Sequence, residues 1–195
     1  MNLFEIDIQS VFDMASQTIL VNDTKRQAIV TTPPLKENEE RFIHTLDIVH
    51  MGDLVTIDDD KYISLTESVT KRHSKYKAKI RHCNYVIKMP GEVIEDFKRD
   101  ENGELILDRY GDPIPITIVG ESVFIPCIIE NKSFSIDGYQ LLVADNTIIV
   151  IAQDNEVNRV KFTVNNTFSL MDYNWKVRNQ DRTKKGLLIL TCERV

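Results

Sequence analysis

Glycine is scarce, at seven residues in 195, and none of the spacings GxGxxG, GxxxxGK(S/T) or GxSxG occurs. Those patterns build phosphate-cradling loops and nucleophile elbows, so nothing points to nucleotide or α/β-hydrolase chemistry. Cysteine is limited to Cys83, Cys127 and Cys192. They are odd in number and lack a CxxC spacing, which indicates neither a disulfide scaffold nor a zinc site; buried small hydrophobes are the expectation. Apolar runs such as Leu187-Leu188-Ile189-Leu190 fall far short of the ~20 residues a bilayer helix needs. The start, Met1-Asn2-Leu3-Phe4-Glu5, lacks the basic opening of a secretory signal, so a protein made in the cytosol and without a membrane partner is expected.

Charge is not scarce but it is unevenly placed. The chain has a formal net charge of -6 and a pI of about 5.3, which argues against nucleic-acid affinity over the whole surface. Yet Lys71 to His82 holds six Lys or Arg and no acid, so this stretch contributes +6 and the remainder sums to -12. Within Lys75-Tyr76-Lys77-Ala78-Lys79-Ile80-Arg81-His82 the cations occupy alternate positions. A strand would put Lys75, Lys77, Lys79 and Arg81 on one face and Tyr76, Ala78, Ile80 and His82 on the other. Such a face, extended by Lys71 and Arg72, suits phosphates contacted without regard to base sequence. The plainer account is a solvated strand face balanced by acids such as Asp58 to Asp60 on a partner strand.

Hydropathy alternates with period two over most of the chain. Phe4 to Gln17 is the exception, with Ile8, Val11, Phe12, Met14 and Ala15 at helical spacing. Strands around the turn Asn22-Asp23, and again around Asp58-Asp59-Asp60, read as hairpins. Leu35 to Arg41 reads as an exposed polar loop, and Val93 to Tyr110, centred on Asn102-Gly103, as an exposed hairpin or arm. From Ile114 onward, short apolar runs are separated by turns at roughly the 8–12-residue spacing of sandwiches and small barrels. The expected fold is mainly β: a small β-barrel with a short N-terminal helix and an extended arm over residues 1–113, followed by a β-sandwich or immunoglobulin-like module over 114–195.

No catalytic, cofactor-binding or metal-ligating set emerges. Asp58-Asp59-Asp60 lacks the spaced ligands of a calcium loop and reads as a solvated turn. None of His44, His50, His73 and His82 stands at a diagnostic spacing from a carboxylate, and His82 reads as a satisfied imidazole on the apolar face. Trp175, within Tyr173-Asn174-Trp175-Lys176-Val177, reads as core.

Phe42-Ile43-His44-Thr45-Leu46-Asp47, Met51-Gly52-Asp53-Leu54-Val55, Tyr62-Ile63 and Tyr76 through Asn84 together resemble small virion proteins of tailed bacteriophages of Gram-positive hosts, which lie at the head-to-tail junction. Asn158 to Val164 and Trp175 through Thr191 look like the β or immunoglobulin-like module that closes such proteins. The resemblance implies a non-enzymatic adaptor or stopper, assembled in the host cytoplasm and resident in the virion. It would form a homo-oligomeric ring that docks on a portal or adaptor protein and accepts a tail protein. Viral double-stranded DNA would pass through the lumen, with Lys71, Arg72, Lys75, Lys77, Lys79 and Arg81 as the residues that face it. Two other readings compete. A nucleic-acid-binding β-barrel outside the virion predicts salt-sensitive binding as a monomer. An enzyme on a β scaffold predicts a deep polar pocket with a strongly shifted titratable group.

Overall fold

The computed structural model describes residues 12, 14–34, 38–70, 75–131, 134–136, 139–141 and 146–195, the segments 134–136 and 139–141 as backbone. The chain is mostly β strand. Its compact units are Met1–Ile87 with Pro126–Val195, and Lys88–Ile125. Residue 113, where the sequence suggests a boundary, lies in the smaller unit. No helix among the described residues is long and apolar enough to cross a membrane.

The larger unit contains a barrel. Strands β1 (Gln17–Val21), β2 (Thr24–Thr31), β3 (Glu40–Thr45), β4 (Leu54–Ile57), β5 (Asp60–Ser64) and β7 (Tyr76–His82) pair antiparallel in the order β3-β2-β1-β4-β5-β7, and β7 pairs back to β3, closing the ring. β6 (Val69–Thr70) pairs with the start of β7 beside β5. Two-residue turns tighten the hairpins: Asn22 and Asp23, at φ 48° and 62°, fit the left-handed pair that a right-twisted hairpin requires. Ile19, Val21, Ile43, Val55, Ile57 and Ile80 are among the buried side chains that fill the interior, so the barrel is a packed core.

The other strands of the chain's second large sheet follow β8 (Tyr85–Met89): β11 (Val123–Asn131), β14 (Thr147–Gln153), β15 (Thr167–Leu170), β16 (Tyr173–Asp181) and β17 (Leu187–Arg194). The order is β15-β16-β17-β14-β11-β8. A short pair, β12 (Phe134–Ile136) with β13 (Tyr139–Leu141), stands apart. Trp175 is buried, its indole N–H donating to the Leu170 carbonyl at 3.1 Å, as its aromatic setting suggests. All three cysteines are buried and free. One helix, Glu156–Lys161, lies where the sequence reads only as short strands and turns. Asn155 caps it, its side chain accepting from the Asn158 N–H. The expected N-terminal helix falls largely outside the described residues. Its last turn is visible, the Ser16 N–H donating to the Phe12 carbonyl at 2.8 Å.

Barrel and sheet meet through apolar side chains and one tight backbone contact. Ile63 and Cys83 cluster with Ile128 and Leu187 of the sheet. At the edge of this cluster the Met51-Gly52 turn lies directly on Gly186. Asn22 ties the same place together: its carboxamide oxygen accepts from the Leu54 N–H at 3.0 Å and from Gln153 Nε2 at 2.8 Å.

The smaller unit is a long hairpin. β9 (Val93–Phe97) and β10 (Pro115–Val119) pair antiparallel, Val93 opposite Val119 and Phe97 opposite Pro115. Beyond them three segments bond in a cycle: Lys98 N–H to the Ile114 carbonyl, Ile114 N–H to Ile106, and Ile106 N–H to Lys98.

Candidate functional site

Alternation on β7 places its side chains as the sequence predicts, with Ala78 and Ile80 buried in the barrel and Lys77, Lys79 and Arg81 on the outer side. Their partners decide what that face can do. Lys79 lies opposite Phe42 on β3 and reaches diagonally to Glu40, Nζ to Oε1 2.7 Å. Lys77 lies opposite His44 and likewise reaches along the strand, its ammonium 3.9 Å from the Phe42 ring centroid. The Arg81 guanidinium, only 11% exposed, bonds to Glu130 of β11 and donates to Asn38 Oδ1 at 2.9 Å. Lys75 is half-buried at the start of the strand, and Lys71 and Arg72 lie outside the described residues. The acids that hold the cations of the strip are Glu40 and Glu130; Asp58 and Asp59 form the β4–β5 turn, and Asp60, which opens β5, lies beside His82.

Lys79 and Arg81 thus already hold carboxylates. We expect Arg81→Ala to cost about 1–3 kcal/mol, because Glu130 keeps its charge beside the sheet and loses its partner. Urea denaturation checks this, and a midpoint within error of the wild type would contradict it.

At one end of the barrel, β7 and β5 assemble a denser polar group. The Tyr62 hydroxyl donates to Glu39 Oε1 at 2.8 Å, Arg41 stacks 5.0 Å above the Tyr62 ring and bonds Glu39 at 2.8 Å, and His82 meets the ring edge-on at 5.3 Å. The Tyr62 hydrogen bond, followed by Arg41, holds Glu39 below the ordinary carboxylate range. Burial first, then the bond to Glu39, pushes the Tyr62 phenol upward. His82 is half-buried rather than sunk in the apolar face, 3.9 Å from Asp60 and 4.0 Å from Glu39. Each acid here is tied to a neighbour, which suits a plug for the barrel end.

A cleft of about 350 Å³ is lined by His50, Met51, Asp53, Glu67, Asp154, Arg159, Lys185 and Gly186. Apart from Lys185, its charged side chains are held by neighbours. His50 Nδ1 lies 3.2 Å from Glu67, and Asp53 accepts from the His50 N–H and from Asn22, each at 2.8 Å. Asp154 takes Arg159 at 2.6 and 2.9 Å and Arg182 at 3.4 Å. The Arg159 hydrogen bond is the main reason the Asp154 carboxyl stays below the usual range. Among the described residues, no group of three or more His, Cys, Asp or Glu side chains is arranged to hold a metal ion.

The smaller unit contrasts with all of this. Of Lys88–Ile125 only Met89, Gly91 and Ile125 are buried, while nine large apolar side chains, Phe97, Tyr110, Val119 and Phe124 among them, are exposed. Nine Asp or Glu stand against four Lys or Arg, a net charge of -5. Among the described residues no ion pair closes within it. Its tip is built from a repeated loop that the sequence reading missed. Asp100-Glu101-Asn102-Gly103-Glu104 recurs eight residues on as Asp108-Arg109-Tyr110-Gly111-Asp112. In each, the first Asp accepts two loop amides through Oδ1, Asn102 and Glu104 in one and Tyr110 and Asp112 in the other. Gly103 and Gly111 take φ of 86° and 90°. The spacing of the Asp-x-x-Gly-acid pattern was the available signal.

Two family descriptions divide this chain between them: YomX N-terminal domain matches residues 2–82 and YomX C-terminal domain matches 85–193. The chain belongs to the YomX family. YomX is phage-associated, from the SPbeta region of Bacillus phage, which agrees with the phage character of the sequence. The two YomX matches meet at residues 82–85, directly after the last strand of the barrel. No curated protein and no solved structure matches the chain.

Proposed function

We propose that this YomX-family protein is a structural subunit of a tailed-phage virion, forming a ring at the head-to-tail junction between portal or adaptor and tail. The observation that carries this reading is the arm of Lys88–Ile125, a hairpin unit whose apolar side chains face solvent and which buries almost nothing of its own. Isolated two-stranded hairpins are marginal in water, so such an element is suited to completion by another molecule. The engagement of most ionisable groups around the cleft, Lys185 excepted, and of those at the barrel end fits a scaffold better than a reaction centre. DNA would pass through the lumen of the ring, where Lys75 and Lys77 are the described cations of the basic strip least committed to carboxylates.

Purified particles of the phage that encodes the chain test the reading. We expect the protein in the virion at the stoichiometry of a ring, with its density at the junction in a particle reconstruction. Its absence from washed particles would refute the proposal.

A further inference from the structure

Two stretches of the chain carry opposite net charge, and both expose apolar side chains. The arm has a net charge of -5, whereas residues 156–195, which hold the helix and β15–β17, carry eight Lys or Arg against four Asp or Glu, a net +4. This basic end is also apolar at its surface: Val160, Val164, Met171, Tyr173 and Val195 are exposed. It ends the sheet as well, since among the described residues β15 pairs only with β16.

The register of that hairpin fixes what β15 offers. Met171 and Asp172, at φ 52° and 62°, form a two-residue turn closed by Leu170 opposite Tyr173. The closing pair of such a turn exchanges hydrogen bonds, and bonded pairs alternate with non-bonded ones. Leu170 and Phe168 therefore spend their backbone groups on β16, and Thr167 and Ser169 direct theirs to the open edge. The β9–β10 hairpin is two-stranded, with Val93, Phe97 and Val119 exposed along one face.

We infer that the arm of one copy docks on the β15 edge of a second copy, adding a strand there and setting its acids against the basic end. Arm against arm would oppose like charges, and Lys79 and Arg81 of β7 are already held by Glu40 and Glu130. In the basic end Arg178 is held by Glu193, and Arg159 and Arg182 by Asp154, but Lys176, Lys185 and Arg194 hold no carboxylate among the described residues. The contact is heterologous, arm to edge, so it propagates and closes where the rotation permits. It rests on the reading of the chain as an assembly subunit and names the surfaces that reading leaves open.

The full chain tests the contact by sedimentation velocity at high micromolar concentration in low and high salt. Carbodiimide crosslinking of mixed ¹⁴N- and ¹⁵N-labelled copies identifies which surfaces meet. Two variants are used: E95K/E101K/E104K on the arm, and Ser169→Pro, which removes an outward amide of β15 and the exposed Ser169 hydroxyl bond to Asn174 while sparing the backbone ladder to β16. Wild type should associate in low salt, dissociate as salt screens the contact, and give intermolecular crosslinks from arm carboxylates to Lys176. Each variant alone should dissociate with at least a tenfold higher Kd. Their equimolar mixture should form dimers and stop there, because one copy supplies only a working arm and the other only a working edge.

Wild type that stays monomeric in all conditions, either variant assembling like wild type, or a mixture without dimers would overturn the inference. Far-UV circular dichroism of each variant shows that the fold persists, and the mixing result is independent of small stability losses. Failure here with the protein present in particles leaves the virion reading standing. Arm-to-edge association in a protein missing from particles refutes that reading and keeps the contact.

Discussion

Gly52→Ala should destabilise the protein by roughly 3–5 kcal/mol, at the upper end of what single substitutions do. A Cβ on Gly52 would lie 1.8 Å from the Gly186 carbonyl oxygen and 2.7 Å from its Cα. These are backbone atoms, which no rotamer change can move aside. Gly52 also has φ of 88°, a conformation that costs an L-residue about 1–2 kcal/mol before any clash. Gly186→Ala meets the reciprocal problem, its Cβ 1.9 Å from the Met51 carbonyl oxygen at φ 85°. Relief requires the Met51-Gly52 turn to draw back from the sheet. That would strain the Gly186 carbonyl's bond to the Asp154 N–H at 2.9 Å and the Asn22–Gln153 bond beside it. The two substitutions act on one contact, so the double variant should cost clearly less than the sum of the singles. Urea denaturation of the four proteins measures this cycle. Strict additivity, or a loss below about 1 kcal/mol for Gly52→Ala, would show that the turn and the sheet separate freely.

The sequence made the barrel legible because its signals are local. Asn22-Asp23 and Asp58-Asp59-Asp60 mark turns where the structure has them, and the alternation of Tyr76 to His82 gives the correct inward pair, Ala78 and Ile80. What alternation cannot supply is the identity of the neighbour. Glu40 belongs to a stretch that reads as a polar loop, yet it begins β3 and takes Lys79; Glu130 is 49 residues from Arg81 and takes that one. The basic strip therefore looked free when half of its described cations were engaged through long-range pairing. The Gly52–Gly186 contact was illegible for the same reason, as nothing local pairs the two glycines and only the docking of sheet on barrel brings them together. The helix Glu156–Lys161 escaped because six residues are too few to establish a period, leaving Asn155 as the sole cue. The arm reads as an exposed hairpin through Asn102-Gly103, but its eight-residue repeat lies in polar loop residues that carry no hydropathy period.

Stability should fall steeply once the pH rises above about 9, and the buried cysteines should account for the first part of that fall. Burial pushes the Cys83 and Cys192 thiols up to about 12, and Cys127 is raised in the same direction, also chiefly by burial. Between pH 9 and 12 the folded chain thus keeps thiol protons that the unfolded chain releases. The folded state then binds more protons, so unfolding becomes more favourable as pH increases. The contribution is fully present below the unfolded thiol value and disappears as the pH passes the folded one. Each fully engaged thiol adds a slope of about 1.4 kcal/mol per pH unit. Above pH 10 Tyr62 joins in with the same sign, because its phenol is also raised by burial and by its bond to Glu39. Denaturant midpoints taken between pH 9 and 10 therefore weigh the thiols most heavily, and the Tyr62 part is common to the protein with and without its cysteines. A Cys83→Ala/Cys127→Ala/Cys192→Ala variant should show a much flatter dependence in that interval, whatever its stability at neutral pH. A thiol reagent should label the native protein only through unfolding, and all three sites once denatured. Equal slopes for the two proteins, or rapid labelling of the native state, would mean that water reaches these sulfurs and that the core between barrel and sheet is more open than its packing implies.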